Sequence, residues 1–251
     1  MADKEPRFEL ESELCAAFIE AAKRDRYSGW RFFAETAGWD ILAVRADGAQ
    51  VGIEAKLRLN NKVVAQALPE RYSHGVVGPD FRAVLVPGYA CENDLAPICH
   101  ALGITVISLR RDRNSRFPFF FSPSLPGDRN GPFYDWHEWA PVKRHVLPDY
   151  VPDVAAGASA PVQLTHWKIQ AIKLAVLLET RPITRSDFRS AGVDPGRWTE
   201  ARLGWLTKTP EGYVAGPHMP DFAAQHPTNY AQIKADRAKW DWVKSPLLAA
   251  G

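Results

Sequence analysis

The sequence predicts an α/β domain followed by a smaller helical module, and three observations carry that prediction. From Glu9 to Leu109 the apolar residues switch between helical and extended spacing in the order helix, strands, helix, strand, helix, strand. Within that run, Phe81 to Val86, Leu95 to Leu102 and Ile104 to Leu109 form a strand, helix, strand crossover, which lays helices over a sheet. An alanine-rich stretch with Gly157, residues 153–160, then reads as a linker, and helical spacing resumes behind it. The expected division is therefore 1–152, a linker at 153–160, and 161–251.

Leu10, Leu14, Ala17, Phe18 and Ala21 recur at three and four, one face of a helix from about Glu9 to Arg24. Glu13 and Glu20 flank that stripe. Glu13, the nearer to it, is the helix carboxylate expected to lean over a sheet edge. Trp30, Phe32 and Phe33 mark a first strand within Ser28 to Thr36. Trp39 to Val44 and Gln50 to Lys56, joined by Ala46-Asp47-Gly48, are two strands of a hairpin. Asn60 or Asn61 caps a helix from Lys62 to about Tyr72, bent at Pro69. Pro87-Gly88 closes the strand at Phe81 to Val86.

From Arg110 to Tyr150 the periodicity is lost. Arg110, Arg111, Arg113 and Arg116 precede Phe117, Phe119, Phe120 and Phe121, and Phe133, Tyr134, Trp136 and Trp139 follow. Cations beside aromatic rings suit a single nucleic-acid strand. The competing reading, a long irregular segment anchored on the core by its rings, is preferred because large aromatics are so often packing groups.

In the C-terminal part, Thr165 caps a helix carrying Ile169, Ile172, Leu174, Val176 and Leu177. Thr184 caps a second helix, and Asp194 with Pro195 opens a third. Leu206 to Val214, interrupted by Pro210-Glu211-Gly212, reads as a small hairpin. Three helices and a hairpin resemble a winged helix. By that resemblance Arg197, Thr199, Arg202 and Lys208 would face DNA, although such modules also bind proteins. A last helix near Tyr230 to Val243, with Trp240 and Trp242, would pack on this module or against a partner chain, which leaves a homodimer open.

Charge and composition narrow the class. The 251 residues carry a formal charge of +2 and 24% charged side chains, so the chain is neither a basic tail nor an acidic disordered segment. Residues 161–251 hold 12 Lys or Arg against 8 Asp or Glu, while residues 1–160 hold 19 against 21. The basic part is the C-terminal one. Cys15, Cys91 and Cys99 lack the paired spacing of a zinc site and are odd in number, which fits a reducing compartment. With no signal-like start and no apolar run near about 18 residues, a soluble cytoplasmic protein without a membrane partner is expected.

The hairpin carries the chemistry. Glu54 and Lys56 stand two apart and leave the second strand on one face, and the turn brings Asp40 of the first strand across from Glu54 or its neighbour. Two carboxylates held close together repel unless a cation lies between them, and hard oxygen ligands suit Mg2+ or Mn2+. A lysine beside them would neutralise charge developing on a phosphate, so the set points to phosphodiester hydrolysis. Glu35, five residues before Asp40, offers a further carboxylate. Gln66, Arg71 and Tyr72 on the next helix offer groups for phosphate or base contacts.

Asp40 followed by Glu54-Ala55-Lys56 resembles the active-site signature of the PD-(D/E)xK, or restriction-endonuclease-like, nuclease superfamily, across roughly Glu11 to Val86. Trp39 stands where that family usually has proline. The resemblance implies Asp40 and Glu54 as metal ligands and Lys56 as the catalytic lysine. It matches Glu13 to a helix glutamate found in many members, and Gln66 and Tyr72 to a glutamine and a tyrosine found in some. The implied protein is a Mg2+- or Mn2+-dependent DNA endonuclease with a restriction-endonuclease-like core and a winged-helix-like module. Two alternatives stand beside it: a catalytically silent nuclease fold that binds DNA or serves assembly, and a salt-bridged trio at a solvated sheet edge.

Overall fold

In the computed structural model, which describes residues 7–24, 29–68, 77–91, 94–111, 118–127, 135–158, 162–200 and 204–240, six strands form one sheet in chain order. They are β1 (Trp30–Thr36), β2 (Trp39–Arg45), β3 (Gln50–Ala55), β4 (Phe81–Pro87), β5 (Thr105–Arg111) and β6 (Phe119–Ser122). The first three are an antiparallel meander, β3, β4 and β5 run parallel, and β6 returns antiparallel. Tight turns can join only antiparallel neighbours, so each parallel pair needs a crossover. The helices α2 (Asn61–Ala67) and α3 (Leu95–Ala101) lie on those two connections. The result is an α/β fold whose mixed central sheet is flanked by helices.

Both faces of the sheet are covered. Ile41, Ala43, Ile53, Ala55, Ala83 and Leu85 pack with Leu14 and Phe18 of α1 (Glu11–Arg24). Leu42, Val44, Val84 and Val86 pack with Val63, Val64 and Ala67 of α2 and with Cys99 of α3. Every residue of β3 is therefore buried, as strands covered on both sides require. Gly52 admits the Trp39 ring, since a Cβ there would lie 2.3 Å from it.

Asn60 caps α2 by accepting from the Val63 amide, 3.1 Å. The expected continuation of this helix to Tyr72 falls on residues 69–76, outside those described. β6 lies in the stretch where the sequence loses its periodicity. Its Phe121 ring meets Phe18 of α1 at 5.0 Å and its neighbour Phe119 meets Phe8 at 5.7 Å, while Phe120 faces solvent. Trp136 of the same stretch packs on Phe81 at 5.9 Å, so packing occupies at least three of its rings. Arg113, Arg116, Phe117, Phe133 and Tyr134 lie outside the described residues.

The chain divides into two units: Met1–Leu147 with Val154–Pro161, and Pro148–Asp153 with Val162–Gly251. The stretch expected as a linker thus belongs largely to the first unit. Ala156 is buried in its core, and Gly157 passes so near α1 that a Cβ would sit 3.0 Å from the Cys15 sulfur. Small residues mark a close approach of backbone here.

The smaller C-terminal unit combines helices with a two-stranded sheet. Its core is α4 (His166–Leu178), buried on most sides and capped by Thr165, which accepts from the Lys168 amide. α5 (Arg185–Ala191) begins at a reciprocal Thr184–Asp187 capping box, and Arg181 pairs with the same aspartate at 2.6 Å. α6 (Gly196–Thr199) starts one residue later than expected. Pro195 takes the cap position, and Asp194 accepts from the Gly196 amide in a local turn. Trp198 of α6 is fully buried against Phe188, Trp205 and Phe222.

β7 (Leu206–Thr209) and β8 (Gly212–Ala215) form the expected hairpin, and Ile183 bridges to Tyr213 beside it. α7 (Phe222–Gln225) follows, unforeseen in the sequence. α8 (Pro227–Ala235) begins three residues before the expected Tyr230. Asp153 fixes that start by accepting from the amides of Thr228 and Asn229 and pairing with His226. Among the described residues, no helix is long and apolar enough to cross a membrane.

Candidate active site

The β2–β3 ladder runs from Val44↔Gln50 to Ile41↔Ile53 and stops there. One further step in that register would set Asp40 against Glu54. On the other side, the β1–β2 ladder passes from Ala34↔Ile41 to Thr36↔Trp39, skipping Glu35 and Asp40. Glu35 there takes a left-handed backbone, φ 47°, a conformation that costs a residue with a side chain about 1 kcal/mol or more. Trp39 packs with Leu42 and Val44, so the usual alternation of faces fails across Asp40. Sheet pairing is interrupted on both sides of the one acidic residue of β2.

The interruption leaves the Ala55 amide without a strand partner, and Asp40 supplies one: its Oδ2 accepts that bond at 2.8 Å. The next amide, of Lys56, donates to Leu85 of β4 at 3.0 Å. Because β3 ends at Ala55, the Lys56 side chain is released from strand alternation. Its Nζ reaches Glu11 in the first turn of α1, 2.6 Å away. Glu35 is held from another direction, its Oε1 accepting from the Gly157 amide at 2.7 Å.

Electrostatics tie these groups into one neighbourhood. Burial, followed by the Asp40 charge, pushes the Glu54 carboxyl up to about 8; Lys56 opposes that rise, and Glu35 and Glu11 add to it. Glu54 is 5% exposed, and no hydrogen bond to its carboxylate occurs among the described residues. Burial also raises Asp40 above the usual carboxylate range, against the Ala55 bond and the Lys56 charge, which lower it. Glu35 is raised, first by burial and then, among its neighbouring charges, by Asp40. Burial works against the Lys56 ammonium, but its bond to Glu11 and the charges of Glu11, Asp40 and Glu54 outweigh that and raise it. Cys15, fully buried, is held as a thiol far above its ordinary value by burial and then by the charges of Asp40, Glu35 and Glu11. It is no nucleophile.

Four of the residues expected from sequence, Asp40, Glu54, Lys56 and Glu35, therefore lie within electrostatic reach of one another, though each described hydrogen bond or ion pair of their side chains runs to a group outside the four. Glu13 does not join them. It is exposed, and its Oε2 accepts from the amides of Glu9 and Leu10, which satisfies the start of α1. The helix carboxylate at the cluster is Glu11, and the sequence held a signal for it. Glu11, Leu14, Cys15 and Phe18 follow the 0, 3, 4, 7 spacing of the buried stripe, whereas Glu13 is set off from it. Gln66 is exposed on α2 while Val63, Val64 and Ala67 turn inward. Arg71 and Tyr72 lie outside the described residues. In the second unit Arg197 of α6 and Lys208 of β7 are exposed, and Arg202 lies outside the described residues.

The donor chemistry suits a hard divalent ion. Mg2+ is commonly held by one or two carboxylates with water completing its shell, and a buried carboxylate repelled by a half-buried one gains from a cation beside them. Among the described residues no group of three or more His, Cys, Asp or Glu is disposed to enclose an ion. A cation here would therefore rest on Asp40 and Glu54 with water. No family model, no curated protein and no solved structure matches the chain.

Proposed function

We propose that the chain is a Mg2+- or Mn2+-dependent DNA endonuclease, with a restriction-endonuclease-like PD-(D/E)xK core and a winged-helix-like C-terminal module. The observation that carries this reading is the double break in the sheet at Asp40, whose charge, with those of Lys56 and Glu35, is felt at Glu54. The order helix, strands, helix, strand, helix, strand supports it as well, since the resemblance implies that order. In this mechanism Asp40 and Glu54 would hold the metal. When bound, the ion supplies a polarised water and offsets charge on the scissile phosphate. Asp40, anchored on the Ala55 amide, keeps a fixed position through turnover. Lys56 transfers part of its pairing from Glu11 to a phosphate oxygen, which favours the more highly charged transition state. Glu35 keeps the local field negative and so favours the metal. Arg197, Arg202 and Lys208 would hold the DNA backbone without reading sequence.

The test is cleavage of supercoiled, linear, branched and single-stranded DNA with and without Mg2+, for the native protein and for Asp40→Asn, Glu54→Ala and Lys56→Met. Scission that needs Mg2+ and vanishes in all three variants is expected. Mg2+-dependent scission by Glu54→Ala would overturn the assignment.

One observation favours a second reading, a silent nuclease fold that binds DNA or serves assembly. Lys56 is already paired with Glu11, 2.6 Å away. Such a protein would show neither Mg2+ binding by calorimetry nor strand scission.

A further inference from the structure

A cleft of about 400 Å3 is walled by the two chain segments that flank the Lys56–Glu11 pair. Arg7 and Phe8 come just before Glu11, and Leu57 and Arg58 directly after Lys56. Tyr89, in the short turn after β4, forms another wall and is 43% exposed. The volume suits one nucleotide-sized ligand. Among the described residues, neither Arg7 nor Arg58 has a hydrogen bond or ion pair to its guanidinium, although both line the same space. Phe8 is fixed by its contact with Phe119. The Arg110 side chain lies across the turn that carries Tyr89, since a Cβ on Gly88 would meet it at 2.4 Å. Its only described guanidinium contact is a weak one to the Cys91 sulfur at 3.8 Å.

Two cations with no anion beside them among the described residues, and an accessible ring in the same cleft, ask for a ligand that is anionic and flat. We propose that the cleft binds one unpaired nucleotide of a single-stranded DNA segment, stacking its base on Tyr89 and taking its flanking phosphates on Arg7 and Arg58. Stacking on an aromatic ring is indifferent to base identity, and arginines that follow the backbone add no sequence preference. A duplex cannot place a base in the cleft without unpairing it first. The assignment of this ligand rests on the nuclease reading, because the cleft adjoins Lys56 along the chain and would hold the nucleotide next to the scissile phosphate.

Binding is measured by fluorescence anisotropy with a labelled oligothymidylate and with a hairpin duplex of equal charge, in EDTA so that no turnover occurs. The native protein is expected to bind the single strand at least about tenfold more tightly than the duplex. Tyr89→Ala should weaken that binding about tenfold or more, and Tyr89→Phe should leave it as in the native protein. The Arg7→Ala/Arg58→Ala double variant should lower the slope of log K against log salt by about 0.7 per arginine. Native-like binding by both the Tyr89→Ala and the double-arginine variant, equal loss in Tyr89→Ala and Tyr89→Phe, or equal affinity for duplex would each overturn the proposal. Single-strand binding with these losses but no Mg2+-dependent scission sinks the nuclease reading and leaves the cleft. Scission with no response to the cleft variants sinks the cleft alone.

Discussion

Glu54→Gln isolates the cost of holding a carboxylate at the break in the sheet. Burial, with the Asp40 charge beside it, moves the carboxyl from 4.5 in the unfolded chain to about 8 in the folded one. Each unit is worth about 1.4 kcal/mol, so the ionised carboxylate opposes folding by about 3–5 kcal/mol when no cation is present. The sign follows from proton counting. Between pH 4.5 and about 8 the folded protein keeps a proton that the unfolded chain has lost, so stability falls as pH rises through that window and is level on either side.

Glutamine stays neutral throughout, so the variant should match the native protein at pH 4.5 and exceed it increasingly toward pH 8. A melting-temperature difference on the order of 10 °C is expected at the upper end. A smaller slope remains in the variant, because Asp40 and Glu35 are raised as well. Urea denaturation over this pH range in EDTA measures the difference, and hydrogen exchange at the β3 amides reads the first unit by itself. Millimolar Mg2+ should then restore stability to the native protein at pH 8 and not to the variant. Parallel pH profiles for the two proteins would refute the argument that Glu54 is a desolvated, repelled carboxylate.

Gly157→Val should destabilise the first unit by about 1–3 kcal/mol. Its φ of 69° and the 3.0 Å approach to the Cys15 sulfur leave no relaxed place for a side chain, and the midpoint of urea denaturation checks this. Glu11→Gln should cost no more than about 1 kcal/mol in stability, because the Glu11 side chain is 31% exposed to screening water. With the amine released, Lys56 should also lose part of its raised pKa, which NMR titration of the Nζ resonance would detect. An unchanged titration would mean that Asp40 and Glu54, and not Glu11, hold the ammonium.

Features set by neighbours in sequence were legible in the sequence. The hairpin turn is closed locally, with Gly48 at φ 87° and Asp47 accepting from the Ala49 amide. The helix starts at Asn60, Thr165 and Thr184 rest on side chains within three residues of the amides they satisfy. Asp40, Glu54 and Lys56 could be grouped for a like reason, since a short hairpin leaves little freedom of register. β6 was not legible, because the face that makes it a strand is supplied by Phe18, about a hundred residues away. Residues 153–160 read as a linker because alanine and glycine signal both a flexible chain and a close approach. Only the presence of α1 beneath them separates the two.

The α/β order, the hairpin and the acids and amine placed on it follow from local sequence, because each depends on side chains a few positions apart along one chain. Tertiary structure decided that Glu11, and not Glu13, pairs with Lys56, that Glu35 enters the cluster through a left-handed residue, and that Gly157 closes over Cys15. Each of these turns on which face of one element meets another, and long-range packing sets that relation together with the burial that raises Glu54.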